Sequence, residues 1–179
     1  MAQSPNLLMN ILPQNIFAAL QPHLKEVKLV FGDVVAHPDE EVDRVYFPNS
    51  GVVSLVIELE AGSMIETAMV GRDGAVNATS ALDGKISFQK GIVQVAGAAS
   101  VISSDALRAV ANEFEPFRSV LIRHEQVLFA QAQQSAGCNA SHTVEARMCR
   151  SFAFGVPSAL IVVPGAVRAT ARAGAVIRP

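Results

Sequence analysis

The chain has 179 residues, half of them apolar and 17% charged, with a formal net charge of −2 and a pI near 6.1. That balance suits one folded domain with an appendage and excludes both a disordered tail and two full-sized domains. It leaves no overall basic footprint for nucleic acid, the two cysteines, Cys138 and Cys149, are too few for a disulfide framework, and no apolar run approaches the ~20 residues of a membrane-spanning helix.

Residues 1–15 lack a basic start and a long apolar core, so they do not read as a signal peptide, and a cytoplasmic protein is expected. Leu8, Ile11, Leu12, Ile16, Phe17, Leu20 and Leu24 keep a helical rhythm that Pro13 interrupts, which predicts one or two short helices. From Glu26 the period becomes two: Val27, Leu29 and Phe31 alternate, and Gly32-Asp33 supplies a turn before Val34-Val35, so a strand pair is expected here. Further strands are predicted at 44–47, 51–60, 64–70, 91–96 and 98–102, separated by turn residues such as Pro48-Asn49-Ser50-Gly51 and Asp83-Gly84. Short strands punctuated every ~8–12 residues argue for a sandwich or barrel.

After residue 103 the pattern turns helical. Ser104 or Asp105 is placed to cap a helix over 106–114, and Pro116 suits the start of a second. Phe117, Val120 or Leu121, His124, Val127 or Leu128, and Gln131 then recur at alternate three- and four-residue steps, as in a coiled-coil seam. The polar members suit an interface between two identical helices, so Phe117, Val120, Leu121, His124, Val127, Leu128 and Gln131 are the expected homodimer contacts; packing of the helix on its own barrel is the alternative. From Ala146 to Pro179 there is no Asp, Glu or Lys, and five arginines stand among Ala, Val, Gly and Pro. We read residues 151–179 as an irregular end from a shifted, GC-rich reading frame, with a flexible basic tail as the alternative.

Several ordered segments carry a resemblance. Val45-Tyr46-Phe47-Pro48-Asn49-Ser50-Gly51-Val52-Val53-Ser54-Leu55, then Ala68-Met69-Val70-Gly71-Arg72-Asp73-Gly74-Ala75-Val76, then Ile92-Val93-Gln94-Val95-Ala96-Gly97, and finally Cys138-Asn139 with His142-Thr143-Val144-Glu145-Ala146-Arg147 resemble Crp/Fnr-family transcription regulators over about residues 6–150. The resemblance implies an α+β fold: N-terminal helices (1–25), a cyclic-nucleotide-binding-type double-stranded β-helix or jelly-roll-like barrel (26–115), and a long dimerisation helix with the start of the next (116–150). Members of the family continue into a helix-turn-helix that reads DNA. Here the anomalous tail stands in that place, so a truncated regulator with no specific DNA binding of its own is expected.

The family's cyclic-nucleotide cassette uses a short helix N-terminus, a Glu for the ribose hydroxyl and a later Arg-Ser pair for the phosphate. By resemblance the Gly-Glu falls on Asn77 and Ala78, the short helix on Thr79, Ser80, Ala81 and Leu82, and the Arg-Ser on Lys90 and Gly91. The ribose acceptor is missing, since no Glu lies between Glu66 and Glu113, and Lys90 keeps a charge without the bidentate fork. Losing charged partners costs such a site on the order of 2–4 kcal/mol, so tight cyclic AMP or GMP binding is not expected. Asn77, Ala78, Thr79, Ser80, Lys90 and Gly91 remain the candidate site for another small anionic effector, with an ordinary barrel that binds no ligand as the alternative.

No catalytic residue, metal site or cofactor is assigned. His23, His37, His124 and His142 are scattered, and none adjoins a nucleophile or completes a zinc pattern. Cys138 reads as structural rather than redox-active. A standalone cupin-like barrel, acting as an interaction protein or a metal-dependent enzyme, is the rival to the regulator.

Overall fold

The computed structural model describes residues 4–59, 62, 64–84 and 86–141. Two short helices, α1 (Leu7–Asn10) and α2 (Gln14–Leu20), flank Pro13 as expected. Asn6 anchors them. Its side-chain oxygen caps α1 by accepting from the Met9 N–H at 3.0 Å, while its amide donates to the carbonyls of Pro48 (2.8 Å) and Gly74 (3.0 Å). A fully buried amide with three partners satisfies its own polarity and ties the N-terminal segment to distant backbone at Pro48 and Gly74.

A five-stranded antiparallel sheet follows: β1 (Lys25–Leu29), β2 (Val34–Ala36), β3 (Arg44–Glu58), β4 (Met64–Val70) and β5 (Lys90–Ser103). β5 is its spine, with β3 along one edge, β4 beyond β3, and β1 and β2 in succession along the other edge. The expected pairing of the segments on either side of Gly32-Asp33 does not form. Gly32, at φ +86°, turns the chain while its N–H bonds the Val93 carbonyl, and the Val93 N–H bonds Asp33, so the turn continues along β5 instead of folding back.

The separate strands predicted at 44–47 and 51–60 are one strand, and so are those at 91–96 and 98–102. Turn-forming residues at 48–51 and 97 bend the ladder without ending it. The β3–β5 register slips three times between Pro48 and Val53, as bulges permit. Gly51 sits at φ +80°, and a Cβ there would lie 2.5 Å from the Val95 carbonyl oxygen; one on Gly97 would lie 2.3 Å from that of Ser50. Both positions need glycine because two backbones meet at the bend.

The bend also redirects side chains. Val45 and Phe47 belong to a cluster with Ile16, Leu20, Ile102, Leu107, Phe117 and Leu121, which seats the helices. Past the slips, Val53 and Leu55 face a second cluster with Leu29, Val70, Val93, Val101 and Leu128, inside the roll. Odd-numbered residues of one unbroken strand would share a face; the irregular stretch lets one strand serve both cores. Each such side chain contributes about 1.5–3 kcal/mol on full burial.

Helix α3 (Ser104–Glu113) is capped by Ser103, one residue before the expected cap, through a bond from the Ala106 N–H. Ser104 instead donates to the Val42 carbonyl. Helix α4 (Glu115–Ser141) carries Pro116 in its first turn. No helix among the described residues is long and apolar enough to cross a membrane. Residues 142–179, including His142, Glu145 and the arginine-rich end, lie outside the described residues, as does the Cys138 side chain.

Candidate functional site

The site is built where the connection after β4 passes under α4. Gly74 and Ala75 lie against the imidazole of His124: the Ala75 N–H donates to Nε2 at 3.2 Å, and a Cβ on Gly74 would come within 2.5 Å of the same nitrogen. Accepting at Nε2 places the imidazole proton on Nδ1, which is buried without a partner. Burial holds His124 down to about 4 from its usual 6.5, because the charged form would lose its water. Nearby, burial raises the Asp73 carboxyl, against the backbone N–H bonds at Asp73 and Gly71 and the charge of Arg72.

Val76 then bridges to Tyr46 through paired backbone bonds. Asn77 adopts φ +69°, a conformation asparagine tolerates better than most residues. Its amide donates to the carbonyls of Val35 (3.4 Å) and Arg44 (3.3 Å). Ala78 is buried in the helical cluster. The Thr79 hydroxyl donates to the Glu125 carboxylate at 2.7 Å, joining this segment to α4. Ser80–Gly84 is one wide helical turn. The Arg108 Nε of α3 donates to the carbonyls of Ala81 (3.1 Å) and Leu82 (3.2 Å), and Arg118 pairs with Asp83 at 2.8 Å.

A cavity of about 290 Å³ opens between the roll and α4. Of the six candidate effector residues, Asn77, Thr79 and Ser80 line it. Ala78 does not, being spent on the core. Lys90 does not either: its ammonium pairs with Glu58 at 3.0 Å. Gly91 is buried against Val35 and Ala36 of β2. The structure therefore disperses the Lys90-Gly91 part of the expected cassette. The charged side chain it brings in is Glu125, with Ser87, Phe88 and Gln89 closing the far side. Glu125 is not among the residues expected from sequence, although it stands four residues after Leu121 and three before Leu128, on the face α4 turns to the barrel. An acidic residue on an otherwise apolar helix face was the available signal.

The seam residues divide similarly. Phe117, Leu121, His124 and Leu128 are buried against the chain's own roll and helices, the alternative packing expected for this helix. Val120 and Gln131 are half-buried, and Val127 is exposed, together with Ile122 and Phe129. A second cavity, of about 220 Å³, lies on the other side of Asn77 and is lined by His37, Glu40, Glu41, Asp43 and Arg44. Among the described residues no three His, Cys, Asp or Glu are gathered as a metal site.

No family model and no curated protein matches the chain. Solved structures do. The N-terminal domain of a transcriptional regulator from Streptomyces coelicolor A3(2) is 19% identical with a TM-score of 0.55, covering 75% of this chain and 94% of that one. The c-di-GMP responsive global regulator CLP of Xanthomonas campestris is 14% identical with a TM-score of 0.64, covering 78% and 70%. A cyclic nucleotide-binding domain from Methylobacillus flagellatus KT is 18% identical with a TM-score of 0.56, covering 69% and 70%. These neighbours are a transcriptional regulator's domain, a global regulator and a cyclic nucleotide-binding domain, and the likeness at these identities is one of fold.

Proposed function

We propose that this chain is the sensory and dimerisation module of a Crp/Fnr-type transcription regulator, a cytoplasmic, non-catalytic protein that does not depend on tight cyclic-nucleotide binding. One observation carries the reading: the cavity lies between the roll and α4, with Thr79 bonded across it to Glu125. A ligand there touches the roll and the long helix at once, so it can bias the position of α4 by whatever difference in affinity it has for two arrangements.

Dimerisation is assigned to α4, but through a different set of residues from the buried seam. Ile122 and Phe129 stand one heptad apart and are 43% and 63% exposed, and Val127 is 39% exposed. Apolar side chains left in water on a long helix favour a second helix as cover. On this reading residues 26–115 are the effector-type roll, 1–25 and 116–150 its helical flanks, and 151–179 a segment whose composition supports a departed reading frame.

Sedimentation equilibrium tests the module. The purified chain is expected at twice its 18.9 kDa mass, and Phe129→Glu at the single mass, because a charge buried between helices is strongly disfavoured. A wild-type chain that stays single at tens of micromolar sinks the dimerisation reading. The DNA beyond the codon for Arg150, read in all three frames, tests the truncation: an encoded helix-turn-helix in another frame supports it.

A further inference from the structure

The cavity between the roll and α4 has the position of an effector site and the wrong charge for a phosphate. Its only charged side chain among the described lining residues is the Glu125 carboxylate. None of the three ion pairs among the described residues includes it, and its hydrogen bond comes from one hydroxyl, that of Thr79. A carboxylate offers about four acceptor positions.

Three donors that could otherwise meet a phosphate are already engaged. The Thr79 proton goes to Glu125, the Asn77 amide to Val35 and Arg44, and the Lys90 ammonium to Glu58. A phosphate ester would lie beside a like charge with no counter-charge, in a setting partly withdrawn from water where Coulomb repulsion is strengthened. Leu55, Val76, Phe88 and Leu128 supply apolar walls, and a volume of about 290 Å³ is close to the lower bound of common ligand pockets, roughly 300 Å³.

We propose that this cavity binds a small cationic ligand, a flat apolar body bearing an amidinium or guanidinium edge, with Glu125 accepting its N–H groups. Two parallel N–H donors match the two oxygens of a carboxylate, and the apolar walls match the flat body. As the effector site of a sensory module, a reading on which this one rests, the cavity passes occupancy to α4 directly, because Glu125 belongs to that helix.

Benzamidine is a suitable probe, titrated calorimetrically into the full-length chain alongside cyclic AMP. Wild type is expected to bind benzamidine and Glu125→Gln to bind it at least about tenfold more weakly, since the amide keeps the size and loses the charge. Glu113→Gln, which removes an exposed carboxylate that does not line the cavity, is expected to retain binding within about threefold, and circular dichroism checks that both variants are folded. Cyclic AMP is expected to give no heat at millimolar concentration.

Benzamidine binding that is equal in wild type and Glu125→Gln overturns the proposal, as does no binding at 10-fold the concentration used for cyclic AMP. A heat signal from cyclic AMP at millimolar concentration also overturns it. Sedimentation separates this from the module reading. A dimer indifferent to benzamidine removes the ligand class alone, whereas a single chain that binds benzamidine through Glu125 removes the dimerising module and leaves the site.

Discussion

His124 shows how one residue ties stability to pH. In the fold its pKa is about 4, against about 6.5 in an unfolded chain. The folded state thus binds fewer protons than the unfolded one between these values, so stability is full above pH 6.5 and is lost as pH falls toward 4. From pH 7.5 to 5 the loss is expected to be about 2 kcal/mol, read as a lower urea midpoint with unchanged slope. Asp73 works in the opposite sense, its raised carboxyl favouring the fold as acid protonates it, at the acid end of the range. His124→Gln, which keeps an acceptor near the Ala75 N–H, is expected to flatten the dependence between pH 7.5 and 5. A wild type whose midpoint does not move over that range would show that His124 charges freely.

At the scale of elements, the bend shared by β3 and β5 is the demanding feature. Gly97→Ala drives a methyl group against the Ser50 carbonyl oxygen, and Gly51→Ala adds a left-handed φ to a similar clash. Both are expected to destabilise by about 1–3 kcal/mol, with Gly51→Ala the worse, as thermal midpoints will report. Gly32→Ala, at positive φ with open space around it, is expected to cost only about 1 kcal/mol. If Gly97→Ala proves neutral, the two backbones do not meet as closely as described.

The same bend explains what the sequence concealed. Helices around Pro13, the break after residue 103, and the change to a two-residue period from Glu26 were legible because they follow local period and turn chemistry. Continuity through Pro48-Asn49-Ser50-Gly51 was not, since those residues read as a turn unless the opposing strand is known to turn with them. The candidate site was half legible: Asn77, Thr79 and Ser80 stand close together in sequence and were found together, whereas Glu125 reaches Thr79 from 46 positions away. The seam on α4 was legible as a pattern, but a pattern of apolar residues does not name its partner, and here Leu121 and Leu128 meet the chain's own roll.

Across the whole molecule, the ladder joins residues far apart in the chain. Lys25 pairs with Val101, Val34 with Ile92, and Arg44 with Ser103. Without β5 the strands keep only the β3–β4 pairing, Val53 with Val70 through Glu58 with Met64. Long-range pairing of this kind folds slowly. On a ribosome the consequence is an order of events: β1, β2 and β3 must wait, edges bare, until residues 90–103 leave the exit tunnel. Nascent chains arrested with residue 90 just outside the tunnel are therefore expected to be cut readily by protease, and those arrested with Phe117, Leu121 and Leu128 also outside to resist. Because synthesis runs at ≈ 5–20 residues per second, the open sheet persists for several seconds in each newborn chain, an interval in which its unpaired edges are exposed to other chains.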